Sequence, residues 1–530
     1  MSRDYDAVVV GSGSNGLVAA IRMAEAGRSV LVCEAAPRLG GAVATEELTL
    51  PGFRHDVFSS VYPAAVASPV FASMPLDRFG LRWVHPGAAM AHPLDDGRAA
   101  VLYRDLDRTA AVLDDLRPGD GRAWRAFVGP YLERFDALRG VMLGAFPPVA
   151  GSLKLVAALR LHGAMDFLRL VLLPADVLAE QLFTGEHATA WLHGSVMHGD
   201  VPAQDAGSAI AGVYLQLMGH AVGWPSPAGG ADGLSGALVG YLAALGGHAR
   251  AGARVERVLV AGDRVTGVGL VGGETVRAPI VIGDVGPHGL LKLAGSSLPA
   301  SYTERLARFR PGPGTVKVDW ALSAPIPWTA KDVRQAGTVH VGGTAHEINQ
   351  AVSQLRLGEV PQRPFLLSGQ QTVADPSRAP AGRHTAWAYT RVPRRADWAL
   401  EAGRHADRIE AQIERFAPGF SDLVLGRHVL SPPAMEARDA NLIAGDVGGG
   451  SYALDQLVFR PVPGLSPYRT PLRGLYLGSA SAFPGGAVHG VPGHAAARAA
   501  LTDARLRRVR SGDSRGISGR SGRARRPRRP

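Results

Sequence analysis

Residues 5–41 read YDAVVVGSGSNGLVAAIRMAEAGRSVLVCEAAPRLGG, and this stretch decides the fold. Tyr5–Val10 is a short β-branched run of the kind that forms a buried parallel strand, and Gly11–Gly16 follows without a break. Leu17, Ala20, Ile21 and Ala24 then recur at helical spacing until Gly27, a helix stop. Ser29–Cys33 is a second strand, closing on Glu34. Strand, helix and strand in such a short span make a complete βαβ unit. Its turn spells G-x-G-x-x-G at Gly11, Gly13 and Gly16. The first glycine permits the turn, the second lets a pyrophosphate approach the backbone, and the third lets helix and strand pack closely. Free N–H groups and the positive end of the helix then face the phosphates. Glu34 lies 18 residues beyond Gly16, where a carboxylate accepts hydrogen bonds from both ribose hydroxyls and repels a 2′-phosphate. The expected dinucleotide contacts of this unit are Gly11, Ser12, Gly13, Asn15, Gly16, Glu34 and Ala35.

Gly267, Gly269 and Gly272 repeat the same spacing, but among alternating strand residues with no helix behind them, so this second match is read as a product of glycine abundance. Working outward, the text turns long and helical from about Ala126 to Met197, a helical cap whose apolar residues (Leu155, Leu159, Phe167, Leu168, Val171) report burial. Pro225–Gly233 introduces a helix over Leu234–Leu245. Strands are then expected at Arg254–Val260, Arg264–Val271, Thr275–Arg277 and Ile280–Ile282. Thr315–Ala324, Gly337–Val341 and Ala386–Thr390 read as strands of a second sheet, and Ala402–Phe416 as an amphipathic helix. Near the end, Gly474–Gly478 is a strand, Ser479–Gly486 a Gly/Pro loop, and Val491–Leu501 an alanine-rich helix.

Glu34-Ala-Ala-Pro-Arg38-Leu-Gly40-Gly41 resembles the E-x-x-x-R-x-G-G extension of the large flavoprotein superfamily that includes amine oxidases and carotenoid desaturases. The resemblance implies FAD rather than NAD, with Arg38, Gly40 and Gly41 in the loop that passes the ribityl and pyrophosphate. It also implies that Val255 lies on the adenine side. A second match, from Gly474 to Gly493, looks like the closing flavin motif of phytoene-desaturase-like enzymes, which implies flavin contacts at Gly478, Ser479, Pro484, Gly485, Gly486 and Val488. Physically it is a strand, a glycine loop and a helix whose positive end stabilises negative charge on a reduced ring. Lys317–Trp320, Asp375–Gly382, Phe416–Phe420 and Asn441–Gln456 add to the likeness. Over residues 5–501 the chain resembles the carotenoid/retinoid family of FAD-dependent oxidoreductases, in the branch typified by pyridine nucleotide-disulfide oxidoreductase domain-containing protein 2. The disulfide in that name has no counterpart here, since Cys33 is the only cysteine and neither a redox pair nor a multi-cysteine metal site can form.

The expected fold class is α/β: a Rossmann-type FAD-binding domain (βαβ, GxGxxG) interrupted by a discontinuous α+β substrate domain with a helical cap. The nucleotide domain would combine residues 1–80, 225–295 and 431–504, and the substrate domain 81–224 and 296–430, with a basic disordered tail at 505–530. That tail carries eleven arginines against one acid, Asp513, a net +10. The whole chain is +11, so its body is nearly neutral, which argues against specific nucleic-acid binding. With 46% apolar and 19% charged residues and no run of roughly 18 apolar residues, a globular, cytoplasmic protein is expected, with peripheral membrane contact left open.

The resemblance implies hydride transfer between a carbon centre of an apolar, carotenoid-, retinoid- or lipid-like substrate and flavin N5, with a quinone or oxygen as electron acceptor. His489, in the flavin loop, and His55, in a segment the family places near the ring, are the candidate catalytic groups, because an imidazole titrates near neutrality. No metal is expected: His193 and His198, with Asp200 nearby, lack a clear third ligand. Two other readings stay open, a flavin amine oxidase-like enzyme and a non-catalytic FAD-binding regulatory or interaction protein. Oligomeric state cannot be read from the sequence.

Overall fold

The computed structural model describes residues 3–395 and 397–510. Its first unit is strand β1 (Ala7–Val10), helix α1 (Ser14–Glu25) and strand β2 (Val30–Cys33). Tyr5 and Asp6 fall outside β1 because Arg3–Asp4, just before them, joins another sheet, where it runs parallel to Thr275–Arg277. β1 and β2 pair in parallel from Ala7↔Val30 to Val10↔Cys33. With β3 (His248–Arg250), β4 (Val281–Gly283) and β5 (Leu475–Leu477) they form one five-stranded parallel sheet in the order β3-β2-β1-β4-β5. Parallel strands covered on both faces need apolar residues at every position. The valine run meets that need: Val8, Val9, Val30 and Val32 are all fully buried. The Rossmann-type α/β fold is thus assembled from three stretches of chain far apart in sequence.

The first and last helices close over this sheet. Helix α1 packs against the helix Val491–Arg510, and a Cβ on Gly493 would stand 1.9 Å from the carbonyl oxygen of Asn15, so only glycine permits the approach. That final helix runs to Arg510, past the expected end at Leu501. The first six residues of the supposed tail therefore continue it, and residues 511–530 lie outside the described residues. The repeated glycine spacing falls in the hairpin Val255–Ala261/Arg264–Leu270, with Gly267 at a positive φ of +151° beside a register shift and Gly272 in the following turn. No helix follows it, as the reading from context requires.

The second sheet has seven strands. The expected strands appear as Gly314–Leu322, Ala336–Val341 and His384–Val392, joined by Val424–Leu430, Leu366–Gly369, Ala88–Pro93 and Ala99–Leu102. The last two read AAMAHP and AAVL; alanine has low β-propensity, and burial in a sheet overrides it. One face of this sheet packs Val316, Val318 and Trp320 against Ile409 and Ile413 of the amphipathic helix, which spans Trp398–Phe416. Five helices between Asp120 and Val196 form the cap, the longest being Val149–Leu172. That helix kinks at Arg160 and leaves Leu161 76% and Leu153 68% exposed. Among the described residues no helix is long and apolar enough to cross a membrane.

Candidate functional site

A groove opens beside the carboxyl ends of the Rossmann strands. Its walls include residues 13–15, 42–43, 286–288, 441–443, 479–481 and 485–489, so the glycine turn and the C-terminal loop, more than 460 residues apart in sequence, share one cavity. Topology puts them there: both leave the carboxyl ends of parallel strands, β1 and β5, which flank β4.

At one end sits the glycine cradle. Gly11 has φ +97°, a value that favours glycine, and a Cβ on Gly13 would fall 2.5 Å from Asp284 Oδ2. Helix α1 starts at Ser14 with no acid in its first turn, and both Ser14 and Asn15 line the groove; their N–H groups are among those an α-helix leaves without an internal acceptor. Asp284 follows β4 and takes the Gly16 N–H at 2.9 Å. Burial pushes its pKa up to about 7, the Gly16 hydrogen bond opposes this, and the carboxyls of Asp439 and Glu34 add to the rise. Asp439 is likewise raised by burial. Asn441 fastens the same corner, donating to the Asp284 carbonyl at 3.1 Å and accepting from the Gly286 N–H at 2.9 Å.

The other end is built from loops. Asp446 accepts N–H bonds from Gly312, Gly448 and Gly450, each at 2.8 Å, which folds the glycine segment back on itself. The Tyr452 hydroxyl accepts from the Gly486 N–H at 2.8 Å and donates to the Gly448 carbonyl at 3.2 Å, stitching the two loops together. Ala487 and Val488 hold φ of +82° and +49°, a costly conformation for residues with a Cβ and a sign of local strain in the wall. His489 Nδ1 accepts from the Val491 N–H at 3.2 Å, and its ring is held to a pKa of about 4, chiefly by burial. Arg460 lies fully buried behind this wall.

The structure sorts the residues singled out by sequence. Gly13, Asn15, Ser479, Gly485, Gly486, Val488 and His489 form the groove surface. Gly11, Gly16, Gly40 and Gly41 stand behind the cradle: a Cβ on Gly41 would lie 3.0 Å from Gly13 Cα. Ser12 and Glu34 face each other. Glu34 Oε2 takes the Ser12 N–H at 2.8 Å and its hydroxyl at 2.7 Å, Oε1 takes the Ala36 N–H at 2.8 Å, and the Gly40 N–H donates to Ser12 Oγ at 3.0 Å. Ala35 is exposed beside them. Arg38 turns toward Glu46 and Asp232, at 3.2 and 3.8 Å. Val255 is buried in its strand opposite Leu270, Gly478 donates its N–H to the Gly283 carbonyl at 2.9 Å, and Pro484 precedes the glycine pair.

His55 is not among the groove-lining residues. Its Nε2 meets Thr49 Oγ1 at 2.8 Å and its Nδ1 lies 3.6 Å from Asp319, and burial with Lys317 and Arg378 nearby lowers its pKa to about 3. Its neighbour Asp56 is the centre of a buried network with Arg378, Thr45, Ser60 and the Ala231 N–H. His198 pairs with His340 at 2.9 Å, and Asp200 pairs with Arg391. Sequence reasoning passed over Asp284, Tyr452 and Arg460. For the last the sequence carries no local signal, since its neighbour Phe459 is exposed.

Comparison with known proteins agrees with this geometry. Residues 9–74 match a family described as NAD(P)-binding Rossmann-like domain. The chain is 28% identical to pyridine nucleotide-disulfide oxidoreductase domain-containing protein 2 of Rattus norvegicus, over 94% of each chain. It is 24% identical to a phytoene desaturase (neurosporene-forming) of Rhodobacter capsulatus, over 92% of each. The chain is an FAD-dependent oxidoreductase that is similar to phytoene desaturases over most of its length. Among solved structures, an oxidoreductase from Methanosarcina mazei superposes with a TM-score of 0.64 at 16% identity, covering 94% of this chain and all of that one, which shows the shared fold. The groove fits FAD on its own features. The Gly13 cradle would be filled by any Cβ, the start of helix α1 borders it, and a wall rich in glycines stands at the opposite end. Ser14 and Asn15 would hold the diphosphate, and Ser479, Gly485 and Gly486 the ring.

Proposed function

We propose that this chain moves hydride between a carbon centre of an apolar organic substrate, of carotenoid, retinoid or lipid character, and FAD. The observation that carries the reading is the convergence of residues 13–15 and 479–489 on one groove. FAD, when bound, supplies the two-electron chemistry. The protein's part is to hold and orient the cofactor. The glycine turn and helix start would grip the diphosphate, and Asp446 and Tyr452 fix the loops at the ring end. His489 is neutral at physiological pH, so its role there is to shape the loop rather than to carry a charge. Electrons leave to a quinone or to oxygen. A cytoplasmic chain that touches one membrane face would meet an apolar substrate there. The cap helix Val149–Leu172 supports this, since it exposes Leu153, Leu161, Met165 and Leu168 alongside Lys154, Arg160 and Arg169, a pairing suited to an anionic lipid surface.

The test is the visible spectrum and the extracted cofactor of the purified protein, followed by stopped-flow bleaching of the flavin with a substrate panel. Reduction by polyenes or retinoids is the expected result. Reduction by amines alone would transfer the chain to the amine oxidase reading, and a bound flavin that nothing reduces would make it a binding protein.

A further inference from the structure

Arg460 is fully buried, and no carboxylate lies within ion-pairing distance of it among the described residues. Its guanidinium is instead held by backbone carbonyls of the two wall loops: Nε donates to Ser481 at 3.2 Å, and Nη2 donates to Ala480 at 3.2 Å and to Gly449. Phe309 and Tyr452 flank it, with ring centroids 5.7 and 5.0 Å from the guanidinium carbon. Nη1 makes no hydrogen bond of acceptable geometry, though the Tyr452 hydroxyl lies beside it. This free nitrogen lies 3.2 Å from where a Cβ of Gly485 would stand, directly behind the groove surface.

A buried cation with no ion-pair partner responds to any negative charge brought near it. The nearby carboxylate Asp446 acts on it at longer range but is held by three backbone N–H groups rather than by the guanidinium. The groove surface itself carries neither lysine nor arginine, and only a wall made thin by glycines at 449, 450, 485 and 486 separates it from Arg460. With FAD bound, hydride leaving a substrate carbon would break the C–H bond and form one to the flavin, bringing two electrons and one proton, hence one negative charge, to the groove, while the second substrate hydrogen would leave as a proton to solvent.

We propose that Arg460 is a positioning residue whose buried charge, acting through the glycine wall, makes this site hold reduced FAD in preference to oxidised FAD. The inference rests on the FAD reading above. The arginine also ties the two loops together, so its charge and its hydrogen bonds must be separated experimentally: Arg460→Lys keeps the charge and loses the three-carbonyl clamp, whereas Arg460→Gln keeps a donor and loses the charge.

The experiment is the midpoint potential of bound FAD, by dye equilibration, in the wild-type holoprotein and both variants. Arg460→Gln is expected to reduce the preference for reduced over oxidised FAD by about tenfold or more, equivalent to a potential lower by about 30 mV, and Arg460→Lys by less than about threefold. A flavin-loaded Arg460→Gln protein with the wild-type potential overturns the proposal, as does a lysine variant that shifts as far as the glutamine one. Should the variants fail to fold or load, wild-type protein reconstituted with 8-mercapto-FAD decides. Its blue quinoid form, favoured by a nearby positive charge, is the expected colour, and the red thiolate form overturns the proposal. A wild-type protein that retains no flavin at all removes the underlying reading instead, which keeps the two failures distinct.

Discussion

At the Gly13 end of the groove three carboxyl groups, those of Glu34, Asp284 and Asp439, gather around the start of a helix. At the Gly485 end a single arginine stands behind loops that carry no cation on their surface. A diphosphate bears its negative charge from the outset, whereas a flavin ring acquires its charge only on reduction. The acidic end therefore works against its ligand unless its carboxyls are neutral or committed, and burial arranges both: Asp284 and Asp439 are pushed toward the protonated form, while Glu34 is saturated by the Ser12 and Ala36 donors. The difference teaches that grip at one end depends on suppressing charge and selectivity at the other on keeping it.

The largest effect is expected where the cradle is filled. Gly13→Glu puts a Cβ 2.5 Å from Asp284 Oδ2 and brings a negative charge into the cradle, and should weaken FAD by more than about a hundredfold, several kcal/mol of desolvated like charge. The purified variant should keep the far-ultraviolet signature of the fold and lack the flavin band. A folded variant with an undiminished band would show that the diphosphate does not lie at this turn. Next comes Glu34→Gln. The amide cannot accept from both the Ser12 pair and the Ala36 N–H, so one buried donor is left unpaired, which costs about 1–3 kcal/mol, or roughly ten- to a hundredfold in FAD affinity. Fluorescence titration of apoprotein with FAD measures it, and an unchanged affinity would mean that Glu34 serves only the loop.

How far sequence alone reached follows the same division. Residues 5–41 could be read because the constraints there are local: strand, turn and helix lie in one uninterrupted stretch, and backbone geometry dictates glycine at fixed offsets. Motif likeness likewise reached Gly485, Gly486 and His489, all of which line the groove. Asp284, by contrast, is ordinary in its own neighbourhood and gains meaning only when β4 slides in beside β1, 268 residues from the Gly16 it contacts. Arg460 is similar, since its partners at 449, 480 and 481 are brought round by loops with no periodic signal. His55 shows the opposite failure: adjacency to a motif suggested the ring, but a register of short strands carries it to Thr49 and Asp319. The alanine-rich strands at 88–93 and 99–102 were hidden because alanine favours helix over sheet, and only burial in the sheet holds them there.

Asp284 supplies a sharper test of the acidic end. Its folded pKa of about 7 is well above the ordinary aspartate value, so the folded apoprotein carries it protonated below neutrality and charged above. Diphosphate binding favours the protonated form, so FAD affinity should be flat below pH 7 and fall by up to about tenfold per pH unit above it. Asp284→Asn should abolish that dependence, matching wild type at pH 6 and binding about tenfold more tightly at pH 8. The same group also destabilises the fold as pH rises from the unfolded value toward 7, because the unfolded chain gives up the proton first, so the variant should melt at a higher temperature at pH 8 than wild type. FAD titrations from pH 6 to 9 with parallel melts provide both readings. A parallel pH slope in the variant would move the titrating group elsewhere.

The smallest effect belongs to His489, at the end where charge is kept. Its pKa of about 4 means a neutral ring throughout the working range, with Nδ1 occupied by the Val491 N–H and a further hydrogen bond made to the Gly486 backbone. A group that does not ionise between pH 5 and 9 sets no limb of a rate profile there. Its linkage is to stability instead: the unfolded chain protonates near 6.5 and the folded one only near 4, so stability is lost as pH falls across that window. His489→Gln can replace the acceptor to Val491. It should leave the rate of flavin reduction at pH 7.5 within about threefold and flatten the acid side of the melting profile. If instead the variant lost the rate by orders of magnitude while retaining flavin and potential, the imidazole would be handling a proton, and the loop end would owe its chemistry to His489 as well as to the charge of Arg460.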